Sequence, residues 1–171
     1  ICAGGTINLT ASGGGSYIWS TSGGTFSSST SSPTSWSTNN AGGYTISVTA
    51  GSGTCTSTAS TSITVNDNPS PLLSFAPICA LGNPLNLSAS GGSSYSWRGP
   101  NGFKSNIATP SKAKTVAKDE GIYSVTVTSP TGCTATSTIQ VYIGVGKITA
   151  SSNSTVCKGG TIQLSATAEF G

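Results

Sequence analysis

Short runs of alternating apolar and polar residues recur along this chain. Ile7, Leu9 and Ala11 alternate with Asn8 and Thr10, and Leu85, Leu87 and Ala89 alternate with Asn86 and Ser88. A period of two predicts strands with one face buried. Tyr17-Ile18-Trp19 and Tyr95-Ser96-Trp97 predict short aromatic strands, each entered through a Gly/Ser turn. Tyr44, Ile46 and Val48 share one face of a further strand, as do Tyr123, Val125 and Val127. Residues 72–78 predict another strand, and 55–65 and 133–143 read as closing strands that follow Gly-containing turns. In the first closing strand Ala59, Ile63 and Val65 are expected on one side, with Thr56, Thr58, Ser60, Ser62 and Thr64 on the other. The predicted fold class is all-β.

The strand pattern repeats. Trp97 lies 78 residues after Trp19, Cys133 lies 78 after Cys55, and Cys157 lies 78 after Cys79. Cys79 follows Cys2 by 77, and Phe103 follows Phe26 by 77, the difference expected from single-residue changes in turns. A fixed period of this length marks an array of like units. Repeat 1 spans 1–66 without a first strand, repeat 2 spans 67–145, and 146–171 supplies the opening strands of a third. Connectors such as Asn66-Asp67-Asn68-Pro69-Ser70-Pro71 are short and turn-forming rather than flexible. With Ile162, Leu164 and Ala166 facing no core of their own, 145–171 is expected to pair with a neighbouring chain or with an edge of the other strands.

Composition narrows the function. Charged residues make up 6% of the chain, His is absent and the formal net charge is +3. That charge is too small to argue for nucleic acid, and no apolar run is long enough to span a bilayer. Enzyme chemistry is not expected: the acids are Asp67, Asp119, Glu120 and Glu169, and no base–nucleophile pair suggests itself. Separated cysteines without Cys-x-x-Cys spacing argue against zinc, and the scarcity of carboxylates argues against calcium, so no cofactor is expected. Recurring Cys in a Thr-rich, Lys-poor chain favours an oxidising, extracellular compartment. Asn8, Asn86 and Asn153 head glycosylation sequons, read as chance matches in so Thr-rich a chain.

Asp119-x-Gly121-x-Tyr123 resembles the tyrosine corner of immunoglobulin-like sandwiches, and Trp19 and Trp97 resemble the buried Trp of that fold. The inter-sheet cysteine pair of that family is replaced by Ala11 and Ala89 facing Ile46 and Val125, and Asn40 stands for the corner Asp in repeat 1. Cys-x-Gly, Leu-x-Ala-Ser-Gly-Gly, Tyr-x-Trp, Gly-Pro-Asn-Gly-Phe and Gly-Cys-Thr-Ala-Thr together resemble the immunoglobulin- or PKD-like repeats of large secreted Bacteroidota surface proteins. Gliding adhesins and their type IX-secreted relatives carry such repeats. The resemblance covers nearly the whole chain and implies tandem immunoglobulin-like β-sandwiches arranged head to tail. It implies a core around Trp19, Tyr44, Trp97 and Tyr123, and a place at the cell surface.

That topology also bears on the disulfides. It places the turn before the second strand, which holds Cys2 and Cys79, far from the start of the last strand, which holds Cys55 and Cys133. A six- or seven-residue strand separates these ends by roughly 20 Å, whereas a disulfide tolerates Cα separations of about 4.4–6.8 Å. The resemblance therefore favours Cys2–Cys133 over the within-repeat pairs Cys2–Cys55 and Cys79–Cys133.

The function expected is mechanical: a repeat module of an adhesin stalk or filament that extends and presents a distal region. Its partners would be neighbouring repeats or other copies of the chain. The alternatives are a carbohydrate-binding module, or accessory repeats of a secreted hydrolase. Candidate glycan contacts are Trp36, which also reads as core filling, and Arg98 and Lys104, in a basic cluster with Lys112, Lys114 and Lys118 that reads as a solvated loop face or as a patch for an acidic surface polysaccharide.

Overall fold

β-Branched and aromatic residues favour strands, and the intervening Gly, Ser and Asn clusters turn the chain. The computed structural model describes residues 1–144, 147–152, 161 and 163–169. Cys157, Ile162 and the sequon at Asn153 lie outside the described residues. Two compact units form, one of Ile1–Ser70 with Thr128–Ala135, the other of Pro71–Val127 with Thr136–Gly171. The repeat borders expected near 66 and 145 follow the sequence period. Compactness instead groups the hairpin tip 128–135 with the first unit.

The first unit contains β1 (Thr6–Leu9), β2 (Ser16–Thr21), β3 (Thr25–Phe26), β4 (Thr34–Ser37), β5 (Gly42–Ser52) and β6 (Cys55–Val65). They form two antiparallel sheets, ordered β1-β4-β3 and β2-β5-β6. The second unit contains β7 (Leu72–Phe75), β8 (Leu85–Ser90), β9 (Ser94–Arg98), β10 (Lys104–Ser105), β11 (Ser111–Lys112), β12 (Gly121–Thr128) and β13 (Thr134–Val141). Its sheets are ordered β11-β8-β7 and β10-β9-β12-β13. The chain thus crosses between sheets from β8 to β9, from β10 to β11 and from β11 to β12, and β9 pairs with β12 rather than with β8. This strand order, with a Trp on β2 or β9 and a Tyr opening β5 or β12, defines immunoglobulin-like sandwiches.

Each core is built from inward-facing residues of both sheets. Leu85, Leu87 and Ala89 of β8 meet Trp97, Tyr123, Val125, Val127 and Val141 in the second unit. Trp19, Trp36, Ile46 and Val65 form the smaller core of the first. The indole N–H groups donate to backbone, Trp19 to the Ser31 carbonyl (2.9 Å) and Trp97 to that of Ile107 (3.1 Å). Both corner tyrosines close the same loop: Tyr44 donates to the Asn40 carbonyl (3.0 Å) and Tyr123 to that of Asp119 (2.8 Å). Gly99 is required beside Tyr123, because a Cβ there would lie 2.4 Å from the ring.

One expectation is corrected. Ala59 does not face a core: every residue from Cys55 to Ser62 is exposed, and burial begins at Ile63 and Val65. The opposing sheet explains this, since its strands β1 and β4 are four residues long against 11 for β6. The outer half of β6 therefore lies beyond the strands that face it. Within 145–171 two strands are described. β14 (Lys147–Ser152) and β15 (Leu164–Glu169) pair with each other, Ser152 opposite Leu164, as a two-stranded sheet.

Candidate functional site

Cys2 and Cys133 are bonded, with Cα atoms 5.6 Å apart and a sequence separation of 131. Local backbone holds each half. Cys2 follows Ile1, whose carbonyl accepts the Asn66 N–H (2.8 Å), and Cys2 forms a parallel bridge with Asn66. Cys133 sits in the turn between β12 and β13, is fully buried, and takes a hydrogen bond from its own N–H to Ser129 Oγ (3.1 Å). Cys55 and Cys79 are free thiols, both exposed. The within-repeat alternatives, Cys2–Cys55 and Cys79–Cys133, are not formed. β6 explains the first: its 11 residues run from Cys55 to Val65, which at about 3.3 Å per residue carries Cys55 more than 30 Å from the end where Cys2 bridges Asn66.

The candidate glycan contacts separate. Of the two readings of Trp36, core filling is the one the structure shows, with 0% of its surface accessible, and the sugar-stacking platform is corrected. Its indole N–H donates to the Gly23 carbonyl (3.0 Å), and its ring meets Tyr44 edge-on at 5.2 Å. Gly24, at φ +83°, lets the chain pass this ring, for a Cβ there would sit 2.7 Å from it. Arg98 and Lys104, in contrast, come together. They are directly opposite on β9 and β10, both exposed, beside a shallow depression of about 360 Å³ edged by Ser96, Ser105 and Asn106. Trp97 turns inward here and offers no ring face. Like charges directly opposite across strands repel, so this pair is a local cost that an anion would relieve.

Lys112 leaves the basic cluster for a different role. Its ammonium pairs with Asp119, whose side chain is fully buried. Asp119 Oδ1 also accepts from Asn101 Nδ2 (2.9 Å) and Oδ2 accepts from the Val116 N–H (2.8 Å). The registers reveal what Lys112 replaces. In β1–β4 Ile7 faces Trp36 and Asn8 faces Ser35; in β8–β11 Leu85 faces Lys112 and Asn86 faces Ser111. The position that holds Trp36 against Tyr44 in one unit holds Lys112 against Asp119 in the other, and Asn40 stands for Asp119 where the lysine is missing. Sequence reading missed this exchange because the segment between the aromatic strand and the corner Tyr matches poorly between repeats.

The Asp119 cluster sets a pH dependence. Burial by itself raises the Asp119 carboxyl. The hydrogen bonds from Lys112, Val116 and Asn101 and the Lys112 charge outweigh it, leaving the carboxyl below its ordinary 3.8. Burial, and next the Asp119 charge, push the Tyr123 hydroxyl from 10.0 up to about 12. A depressed carboxyl stabilises the fold above its unfolded value and loses that contribution as pH falls through the folded one. A raised phenol stabilises below its unfolded value and loses it as pH climbs towards the folded one. Thermal unfolding of the second unit is therefore expected to be level from about pH 4 to about pH 10 and to weaken on either side. Asp119→Asn should flatten the acid limb and Tyr123→Phe the alkaline limb, as read by Tm against pH.

Among the described residues no three Cys, Asp or Glu side chains group to hold a metal, and no helix is long and apolar enough to cross a membrane.

No family profile and no curated protein matches the chain. Solved structures do. It is similar to the amphioxus IgVJ-C2 molecule, at 14% identity and TM-score 0.39, over 82% of this chain and 98% of that one. It is similar to a C-terminal 282-residue fragment of intimin, solved with the intimin-binding domain of its translocated receptor, at 17% identity and TM-score 0.46. That match covers 86% of this chain and 59% of the fragment. Similarity to the N-terminal four Ig domains of Dscam1 (14% identity, TM-score 0.38) covers 83% of this chain and 42% of that one. These likenesses are remote, and the fold assignment stands on the strand order and the two tyrosine corners.

Proposed function

We propose that the chain is a structural module of an extracellular adhesion or filament protein, one that extends and presents a binding region carried elsewhere. The observation that carries this reading is the Cys2–Cys133 bridge, which spans a sequence separation of 131 residues and fastens the β12–β13 hairpin tip to the segment that opens β1. A link of that span resists separation of distant parts of the chain, a property suited to bearing load. The oxidised pair also suits a compartment outside the reducing cytosol. Hydroxyl-covered strands support the same reading: Thr49 pairs with Thr58 (2.9 Å) and Thr126 with Thr136 (3.0 Å) through their side chains. Such faces keep a charge-poor protein hydrated without offering a shaped pocket.

The second reading, a module for acidic polysaccharide, is favoured by one observation, the opposed Arg98 and Lys104 beside a shallow depression. One experiment separates the two. The chain is passed over an array of neutral, carboxylated and sulfated glycans, together with Arg98→Ala/Lys104→Ala. A spacer is expected to show no saturable binding to any of them. Saturable binding that the double variant loses would replace the spacer with the glycan-binding reading.

A further inference from the structure

We propose that Cys55 and Cys79 are complementary halves of an intermolecular disulfide joint, Cys55 of one chain bonding Cys79 of a second copy. The inference rests on equivalence between the halves of this chain and goes beyond the spacer reading, which it does not require.

Cys55 occupies the position of Cys133. Cys133 lies 78 residues after Cys55, the same spacing that separates Thr136 from Thr58 and the core-facing Val141 from Ile63 on the closing strands β13 and β6. Cys79 occupies the position of Cys2. The Asn66 N–H donates to the Ile1 carbonyl (2.8 Å) and the Gly144 N–H to that of Ile78 (2.7 Å), and each cysteine is the next residue along. Each half of the chain thus carries a hairpin-tip cysteine and a cysteine in the stretch leading into β1 or β8. The structure shows what these two kinds do when they meet, because Cys133 and Cys2 are bonded. Among the described residues one of each kind, Cys55 and Cys79, is free, and both are exposed.

Their surroundings suit the same engagement. Cys133 is fully buried in its joint, whereas the Cys55 hairpin is bare on both faces from Cys55 to Ser62. That stretch is mostly Thr and Ser, so it waits in water at little cost. Beside Cys79, Leu81 is 60% exposed, an apolar contact with no cover. Because the tip of one copy meets the entry of the next, the contact is heterologous and propagates rather than closing as a two-fold dimer.

The chemistry needs an oxidant, and a small-molecule disulfide of the glutathione class supplies it. The Cys55 thiolate attacks that disulfide, forming a mixed disulfide and releasing one thiol. The Cys79 thiolate of the second copy then attacks the Cys55 sulfur, forming the joint and releasing the other thiol. Two protein thiols lose two electrons and two protons, and one small disulfide becomes two thiols.

The test uses the full chain carrying Cys157→Ser, so that only Cys55 and Cys79 are free thiols. Incubated with oxidised glutathione and run without reductant, it is expected to give a ladder of dimers, trimers and longer species. Cys55→Ser and Cys79→Ser, both at exposed positions, should each lose every species above monomer while keeping the parent Tm. Mixed in equal amounts, the two variants should yield dimers and nothing longer, with a Cys55–Cys79 linked peptide on mapping. Absence of a ladder, dimers of either variant alone, or a Cys55–Cys79 bond within one monomer would each overturn the joint.

Discussion

Trp36→Ala is expected to lower the unfolding free energy of the first unit by about 3–5 kcal/mol, the range for truncating a large buried aromatic. Three losses add in this one change. The largest is the cavity, because Trp36 is completely buried in a core whose other buried members are Trp19, Ile46 and Val65. The second is the edge-on contact with Tyr44, whose ring centroid lies 5.2 Å away and which anchors the corner to Asn40. The third is the indole hydrogen bond to the Gly23 carbonyl, which leaves a part-buried acceptor without that donor. A total of this size is a large share of the roughly 5–15 kcal/mol that holds a domain folded. Urea denaturation followed by tyrosine and tryptophan fluorescence reads the effect as a lower midpoint. Trp36→Phe should recover part of the loss. A midpoint unchanged in Trp36→Ala would mean that the ring lies on the surface.

Removing the Cys2–Cys133 bridge, by reduction or by Cys2→Ser/Cys133→Ser, is expected to cost up to about 5 kcal/mol. With a separation of 131 residues, the entropy lost by closing the loop in the unfolded chain gives this upper figure at 25 °C. Measured values for native bridges run lower, about 2–5 kcal/mol, because an unfolded chain retains structure. The transition to follow is that of the first unit, which includes the hairpin tip 128–135. Hydrogen exchange should show the amides around Ser129 and Cys133 losing protection first, since their hydrogen bonds lie within that short turn. The double-serine variant should no longer respond to reductant. Cys55→Ser and Cys79→Ser should leave the transition where it is, for both thiols are free. Equal stability with and without reductant would show that the hairpin tip is held by other contacts.

Much of this protein was legible in its sequence. Period-two alternation at Leu85, Leu87 and Ala89 and at Tyr123, Val125 and Val127 identified buried faces, because a strand turns alternate side chains to opposite sides whatever surrounds it. The corner tyrosines were equally readable, since the hydroxyl reaches a carbonyl only four residues upstream and the geometry is local. Other features depended on partners far away in the chain. Trp36 read either as core filling or as a sugar-stacking platform, because repeat 2 has no aromatic at the matching place. Only the β1–β4 and β8–β11 registers show that a Trp–Tyr contact in one unit is exchanged for a Lys–Asp pair in the other. Ala59 alternates as a core residue should, yet it is exposed because the opposite sheet does not reach it. The bond between Cys2 and Cys133, the exposure of Cys55 and Cys79, and the meeting of Arg98 with Lys104 were also decided by tertiary structure. Alternation and turn chemistry act over a few residues and survive in the sequence as patterns, whereas burial, pairing and charge opposition depend on which distant strand arrives opposite.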